Sequence, residues 1–193
     1  MQQGRLIYLV GASGAGKDSV IDAARPGLAE KGIDVARRVI TRSAEALGEQ
    51  ALGVSHETFE AMLREGRFAL SWRANDLCYG IPVEIDHSLK AGRWVLVNGS
   101  RGYLPQALVK YPSLLAVLVT VENQVLRERL EARGRETPAQ IDARLARNAQ
   151  LHQSIGWKGD ASGILLLDNS GFLGDAAQAL LGLIDEQLSA VED

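Results

Sequence analysis

The chain has 193 residues, 46% hydrophobic and 23% charged, enough for one domain with a buried core and a small attached subdomain. Its net charge of −3 excludes a general attraction to nucleic acid or to an anionic membrane, so any anion site must be a local cluster of basic side chains. A single cysteine, Cys78, excludes an internal disulfide and a cysteine-only metal cage.

Leu6–Val10 reads as an apolar strand that runs into Gly11-x-x-x-x-Gly16-Lys17, followed by a helix over 17–31 closed by Gly32. The apolar run is too short for a signal peptide or a membrane span, which makes the cytoplasm the expected compartment. Strand, loop and helix in this order form a phosphate-binding loop. Its glycines let successive N–H groups face phosphate oxygens, and the helix adds the positive end of its dipole. Lys17 supplies charge for the β- and γ-phosphates. Gly11, Ala12, Ser13, Gly14, Ala15, Gly16, Lys17, Asp18 and Ser19 are therefore the candidate nucleotide-binding positions. The pattern breaks at Asp18, where Ser or Thr normally holds magnesium. A carboxylate suits a hard cation, so Asp18 is the candidate metal ligand. The alternative is an acid favoured only by the helix dipole.

Further along, Val35–Ile40 reads as a second strand, and 43–54 is polar without periodicity. His56–Glu65 is an amphipathic helix ending at Gly66, Phe68–Trp72 a short strand, and Pro82–Lys90 a brief helix. Trp94–Val97 is a buried strand ending in Asn98-Gly99. Leu114–Val121 is a continuous apolar run, as expected of a central parallel strand. Helices over Glu122–Ala132 and Pro138–Leu151, a strand at Gly163–Leu167 and a helix over Leu173–Leu188 complete the chain. Alternating strands and helices predict a doubly wound α/β fold with a parallel central sheet. Residues 36–90 look like an insertion suited to binding a substrate.

Arginines crowd 127–150. Arg133, Arg135 and Arg144 surround a turn between two helices, with Thr137 as cap and Pro138 at the first helical position. Such a basic turn can close over phosphates as a lid and stabilise charge during phosphoryl transfer. Arg127 and Arg147 read instead as solvated helix positions making local ion pairs. His56, His87 and His152 show no metal-ligand spacing, Cys78 reads as a packing residue, and Trp72 and Trp94 read as core. Asp168-Asn169 follows the last strand and can cap the next helix.

These segments together resemble the guanylate-kinase-like branch of the P-loop kinases over nearly the whole length. The anchors are the loop at 11–17, Thr41-Arg42, Val54-Ser55, Tyr79-Gly80, Arg133-Gly134 and Ile141-x-x-Arg144-Leu145. The resemblance implies a three-layer P-loop kinase fold in one domain, with a small acceptor-binding insertion and an arginine-rich lid. It also implies ATP and Mg2+ as cofactors, Lys17, Arg133 and Arg144 as catalytic residues, Arg135 on the nucleotide, and an adenine contact at Asp168-Asn169 in place of the cap. Arg42 and Tyr79 inherit contacts to the acceptor's phosphate. The guanine-reading positions are lost, however. A glutamate is replaced by Leu70, a Ser or Thr by Ile81, a phosphate-holding arginine by Glu45 and a tyrosine by Ala51. A pocket cannot lose those polar groups and still discriminate a base.

Gly-Lys-Asp-Ser at 16–19, Phe-Ala-Leu-Ser-Trp at 68–72, Tyr-Gly-Ile at 79–81 and Val-Asn-Gly-Ser-Arg at 97–101 are similar to the ribose 1,5-bisphosphate phosphokinase group, which serves phosphonate breakdown. That resemblance implies a sugar bisphosphate as acceptor, with Arg101 as a cation and Asn98 and Ser100 as hydrogen-bonding groups toward it. The expected partners are thus ATP and a small sugar phosphate, with no nucleic acid and no membrane, and with a homodimer as a compatible assembly. A nucleoside monophosphate kinase of altered base preference and a non-catalytic guanylate-kinase-like binding module stay open as alternatives.

Overall fold

The computed structural model describes residues 4–41, 51–134, 136–154 and 163–192. The longest apolar runs become parallel strands because both their faces are covered. In chain order the elements of the main body are β1 (Leu6–Gly11), α1 (Lys17–Glu30) and β2 (Asp34–Val35). Then follow, after an insertion, α3 (Ile85–Lys90), β7 (Val95–Asn98), a 3-10 turn at Arg101–Tyr103, α4 (Leu104–Lys110) and β8 (Leu115–Thr120). The body ends with α5 (Asn123–Arg133), α6 (Pro138–Ser154), β9 (Leu165–Asp168) and α7 (Leu173–Glu192). The sheet order is β2-β7-β1-β8-β9, with every pairing parallel.

Strand alternation builds two cores on opposite faces of this sheet. Ile7, Leu9, Val117 and Val119 face α1 and α7, along with Leu126 and Leu130 of α5 and Ile141 of α6. Leu6, Tyr8, Val10, Ala116 and Leu118 face the other way, toward Ile85, Leu104, Ala107 and part of the insertion. Each fully buried Leu, Ile or Val stabilises the fold by about 1.5–3 kcal/mol relative to exposure.

The insertion carries its own four-stranded sheet, ordered β4 (Leu52–Gly53), β3 (Val39–Ile40), β6 (Leu77–Pro82) and β5 (Phe68–Ala74), beside α2 (His56–Arg64). Val39, Phe59 and Cys78 form a small third core there.

One expectation changes, one element is added and one expectation is refined. The strand expected over Val35–Ile40 is two strands in two different sheets, because the chain crosses from one to the other at Ala36–Arg38. The segment at 77–82 is a strand, joined to β5 by Asn75-Asp76; both residues have positive φ (51° and 60°), the backbone of a tight hairpin turn. Leu114–Val121 is interior and parallel as expected, but β1 occupies the middle of the sheet.

Candidate active site

A cleft of about 920 Å3 opens at the carboxyl ends of β1 and β7, where doubly wound sheets bind ligands. Its floor is the loop at 11–17. Gly14 and Gly16 take φ of 97° and 83°, which bends the backbone into a cradle. Ala12 and Ala15 turn their methyl groups into the core, so they present only backbone to the cleft. Lys17 Nζ lies over the loop and donates to the carbonyls of Gly11 and Ala12, 3.1 Å each. Asn169 is 2% exposed and donates from Nδ2 to the Ala15 carbonyl at 2.7 Å. The sequence suggested an adenine contact or a cap; the side chain instead braces the loop from the end of β9. It is Asp168 that makes the local turn, accepting from the backbone and hydroxyl of Ser170.

Asp18 occupies the first turn of α1. Its Oδ1 accepts from Asn98 Nδ2 at 2.5 Å and from Arg38 Nη2 at 3.1 Å. Arg38 is 9% exposed, donates also to the Asn98 carbonyl, and lies 5.7 Å over the Tyr79 ring. Tyr79 in turn stacks on Trp72, with 5.5 Å between centroids and 5° between planes, and Trp72 stacks on Tyr103. Sequence reasoning missed Arg38, which the crossover between the sheets delivers to the cleft. Trp72 is core, as expected, but it lines the cleft as well.

Among the described residues lining the cleft, Asp18 is the single acid, and no cluster of three or more metal-ligating side chains occurs among those described. Magnesium keeps several waters and takes one or two carboxylates plus substrate phosphates. Asp18, whose side chain is 38% exposed, fits such a site, with Ser19 adjacent.

A second wall of the cleft follows β7. Tyr8 is fully buried, accepts from the backbone N–H of Ser100 at 3.0 Å and donates to the Ser100 carbonyl. Burial pushes its phenol pKa up, so the hydroxyl stays neutral and can do both. Gly99 lies against the Tyr8 ring, where a Cβ would come within 2.2 Å. This fixes the turn that presents Arg101, which is 8% exposed and donates from Nη2 to Asn148 Oδ1 of α6 at 3.1 Å. Burial lowers the Arg101 pKa below its ordinary value, though far too little to discharge a guanidinium.

Opposite stand α5 and α6. Thr137 caps α6 reciprocally with Gln140, as its sequence predicts. Arg144 pairs with Glu136 and donates to Ser13 Oγ at 2.7 Å, which joins the helix to the phosphate loop. Arg133 lines the rim. Arg127 makes the expected surface pair, with Asp142 at 2.6 Å. Arg147 departs from expectation by lining the cleft. Arg42, Arg135 and Glu45 lie outside the described residues. Leu70 and Ile81 pair across β5 and β6 and pack in the core at 2% and 0% exposure, and neither lines the cleft.

The described lining of the cleft therefore gathers Lys17 and the arginines at 38, 73, 101, 133, 144 and 147 with Asp18 as its one acid, while Arg73 and Arg144 also pair with Glu60 and Glu136 outside that lining, on a body of net charge −3. Such a site suits ligands carrying several phosphates.

No family model matches the chain. It is 58% identical over 187 residues to the ribose 1,5-bisphosphate phosphokinase PhnN of Pseudomonas fluorescens (strain SBW25), covering 97% of this chain and 98% of that one. The PhnN of Azotobacter vinelandii is 57% identical over 187 residues, covering 97% and 99%. That of Desulfomicrobium baculatum is 46% identical over 183 residues, covering 94% and 95%. Among solved structures, guanylate kinase from Anaplasma phagocytophilum superposes with a TM-score of 0.71 at 14% identity, over 96% of this chain and 87% of that one. A gluconokinase from Sinorhizobium meliloti 1021 gives 0.51 at 20% identity, over 98% of both. The two structures share the fold.

Proposed function

The chain belongs to the ribose 1,5-bisphosphate phosphokinase family, and from that premise we propose that it transfers the γ-phosphoryl group of ATP to the 1-phosphate of ribose 1,5-bisphosphate. The products are 5-phosphoribosyl 1-diphosphate and ADP. The observation that carries this reading is the concentration of cations around a cleft whose described lining holds one acid.

An oxygen of the 1-phosphate attacks the γ-phosphorus in line. The bond to the β–γ bridging oxygen breaks, and ADP leaves with its electron pair. The attacking phosphate is already ionised, so no general base is needed. The loop N–H groups and Lys17 hold the β- and γ-phosphates. Arg133 and Arg144 stabilise charge on the equatorial oxygens during transfer. Magnesium, when bound, neutralises phosphate charge, and Asp18 is the residue to hold it. Tyr79 and Arg38 face the acceptor's reacting phosphate, with Arg42 of the same segment assigned there by resemblance. Asn98 and Ser100 suit the sugar hydroxyls, and Arg101 a phosphate. The insertion over 36–90 is the acceptor-binding unit and 127–150 the lid of one domain. The cytoplasm is the compartment proposed for the reaction, in keeping with the lack, among the described residues, of a helix long and apolar enough to cross a membrane.

The test is turnover of purified protein with ATP and magnesium against ribose 1,5-bisphosphate, ribose 5-phosphate, guanosine monophosphate and adenosine monophosphate, with products identified by phosphorus NMR. Turnover is expected with ribose 1,5-bisphosphate alone. Comparable turnover of guanosine monophosphate would overturn the assignment in favour of a nucleotide kinase, and no turnover of any acceptor in favour of a binding module.

A further inference from the structure

Among the described residues lining the cleft, three buried donor nitrogens lack protein partners: Arg144 Nε, Arg101 Nη1 and Asn148 Nδ2. Arg101 Nη1 and Asn148 Nδ2 are both shut from solvent. Their residues are 8% and 7% exposed and touch each other through Arg101 Nη2 and Asn148 Oδ1 at 3.1 Å. That contact also fixes the amide: Oδ1 must face the guanidinium, because a flipped amide would set donor against donor. What remains is one unpartnered donor nitrogen on each residue, each carrying N–H groups and no lone pair to accept with. Such donors are costly to leave unmade.

Donors alone complement an anionic oxygen. The position says which one. Arg144, one helical turn before Asn148, reaches Ser13 of the phosphate loop. The reacting phosphate must lie against that loop, so Arg101 and Asn148 stand one turn farther from the chemistry. Arg147 lines the cleft beside them and adds charge.

Resting on the functional reading above, we propose that Arg101 and Asn148 form the subsite for the acceptor's second, non-reacting phosphate, the 5-phosphate of ribose 1,5-bisphosphate. Asn148 is thereby a substrate-binding residue supplied by the lid helix. The acceptor bridges the wall after β7 and the helix that carries Arg144.

Asn148→Ala and Asn148→Asp test this. The first removes the donor; the second sets a carboxylate beside the phosphate while keeping a partner for Arg101. The KM for ribose 1,5-bisphosphate should rise about tenfold in Asn148→Ala and further in Asn148→Asp. Binding of ATP in the absence of acceptor should stay unchanged. Calorimetric titration separates the two ends of the sugar: affinity for ribose 5-phosphate should fall in both variants, and affinity for ribose 1-phosphate should not. Melting without ligand checks that each variant is folded; should Asn148→Ala fail to fold, Asn148→Asp alone carries the comparison. An unmoved KM in a folded variant, or equal losses for the two monophosphates, overturns the subsite while leaving the kinase reading intact. No turnover of ribose 1,5-bisphosphate by the unaltered protein overturns both.

Discussion

Asp18 stands where the phosphate-loop pattern asks for a hydroxyl, and the structure gives this departure a second occupation. One oxygen takes Arg38 and Asn98, tying the start of α1 to the wall at the end of β7. The carboxylate is part-exposed, so the pair with Arg38 contributes about 1 kcal/mol or less to stability. Its larger effect is to aim Arg38. Asp18→Ser restores the usual metal-binding hydroxyl and releases Arg38 and the Asn98 amide. Both the magnesium optimum and the KM for the acceptor should therefore move, the latter by several-fold, with melting nearly unchanged. A metal titration that shifts while the acceptor KM holds assigns Asp18 to the metal alone. The converse result makes it a positioning residue for Arg38. If neither moves, the acid serves only the helix dipole.

Elements differ in how much of them is written locally. β1, the phosphate loop and α1 are legible because strand, glycines, lysine and helix follow one another in a short run. The turn before α6 is legible because Thr137, Pro138 and Gln140 cap within one turn. The hairpin of β5 and β6 was missed: its turn signal is Asn75-Asp76, without the glycine that usually marks a two-residue turn. The break inside Val35–Ile40 has no local signal, since its cause is pairing with two different sheets. The same holds for the side chains that sequence reasoning passed over. Arg38 and Asn148 act through partners 20 and 47 residues away, and Asn169, singled out for another role, acts through one 154 residues away. Asn169 gives this a test. It fastens the last residue region of β9 to the Ala15 carbonyl, and a neutral hydrogen bond of this kind contributes about 1 kcal/mol. Asn169→Ala should weaken nucleotide binding several-fold in calorimetry and leave ribose 5-phosphate binding unchanged. Unaltered nucleotide affinity would mean that the loop holds its shape without the brace.

At the scale of the whole molecule, three parts meet at one cleft: the carboxyl edge of the parallel sheet, the inserted sheet, and α5 with α6. α6 touches both regions proposed above for the substrates: Arg144 reaches Ser13 of the phosphate loop, and Asn148, one turn on, reaches Arg101 after β7. A rigid helix with a contact toward each region is a means by which the two binding events can be coupled. Either ligand that draws α6 inward prepares the other's contacts, which is a coupling free energy and must be the same in both directions. A non-hydrolysable ATP analogue with magnesium should therefore raise affinity for ribose 1,5-bisphosphate by about fivefold or more. The acceptor should raise affinity for the analogue by the same factor. Asn148→Ala, which cuts the acceptor-side contact and spares Arg144, should bring both factors toward one. Two calorimetric titrations per protein, each ligand with and without the other, measure this. Factors of one in the unaltered protein would mean that the sites fill independently and that α6 carries its arginine without responding to the sugar. Unequal factors in the two directions would violate linkage and expose a second binding mode for one ligand.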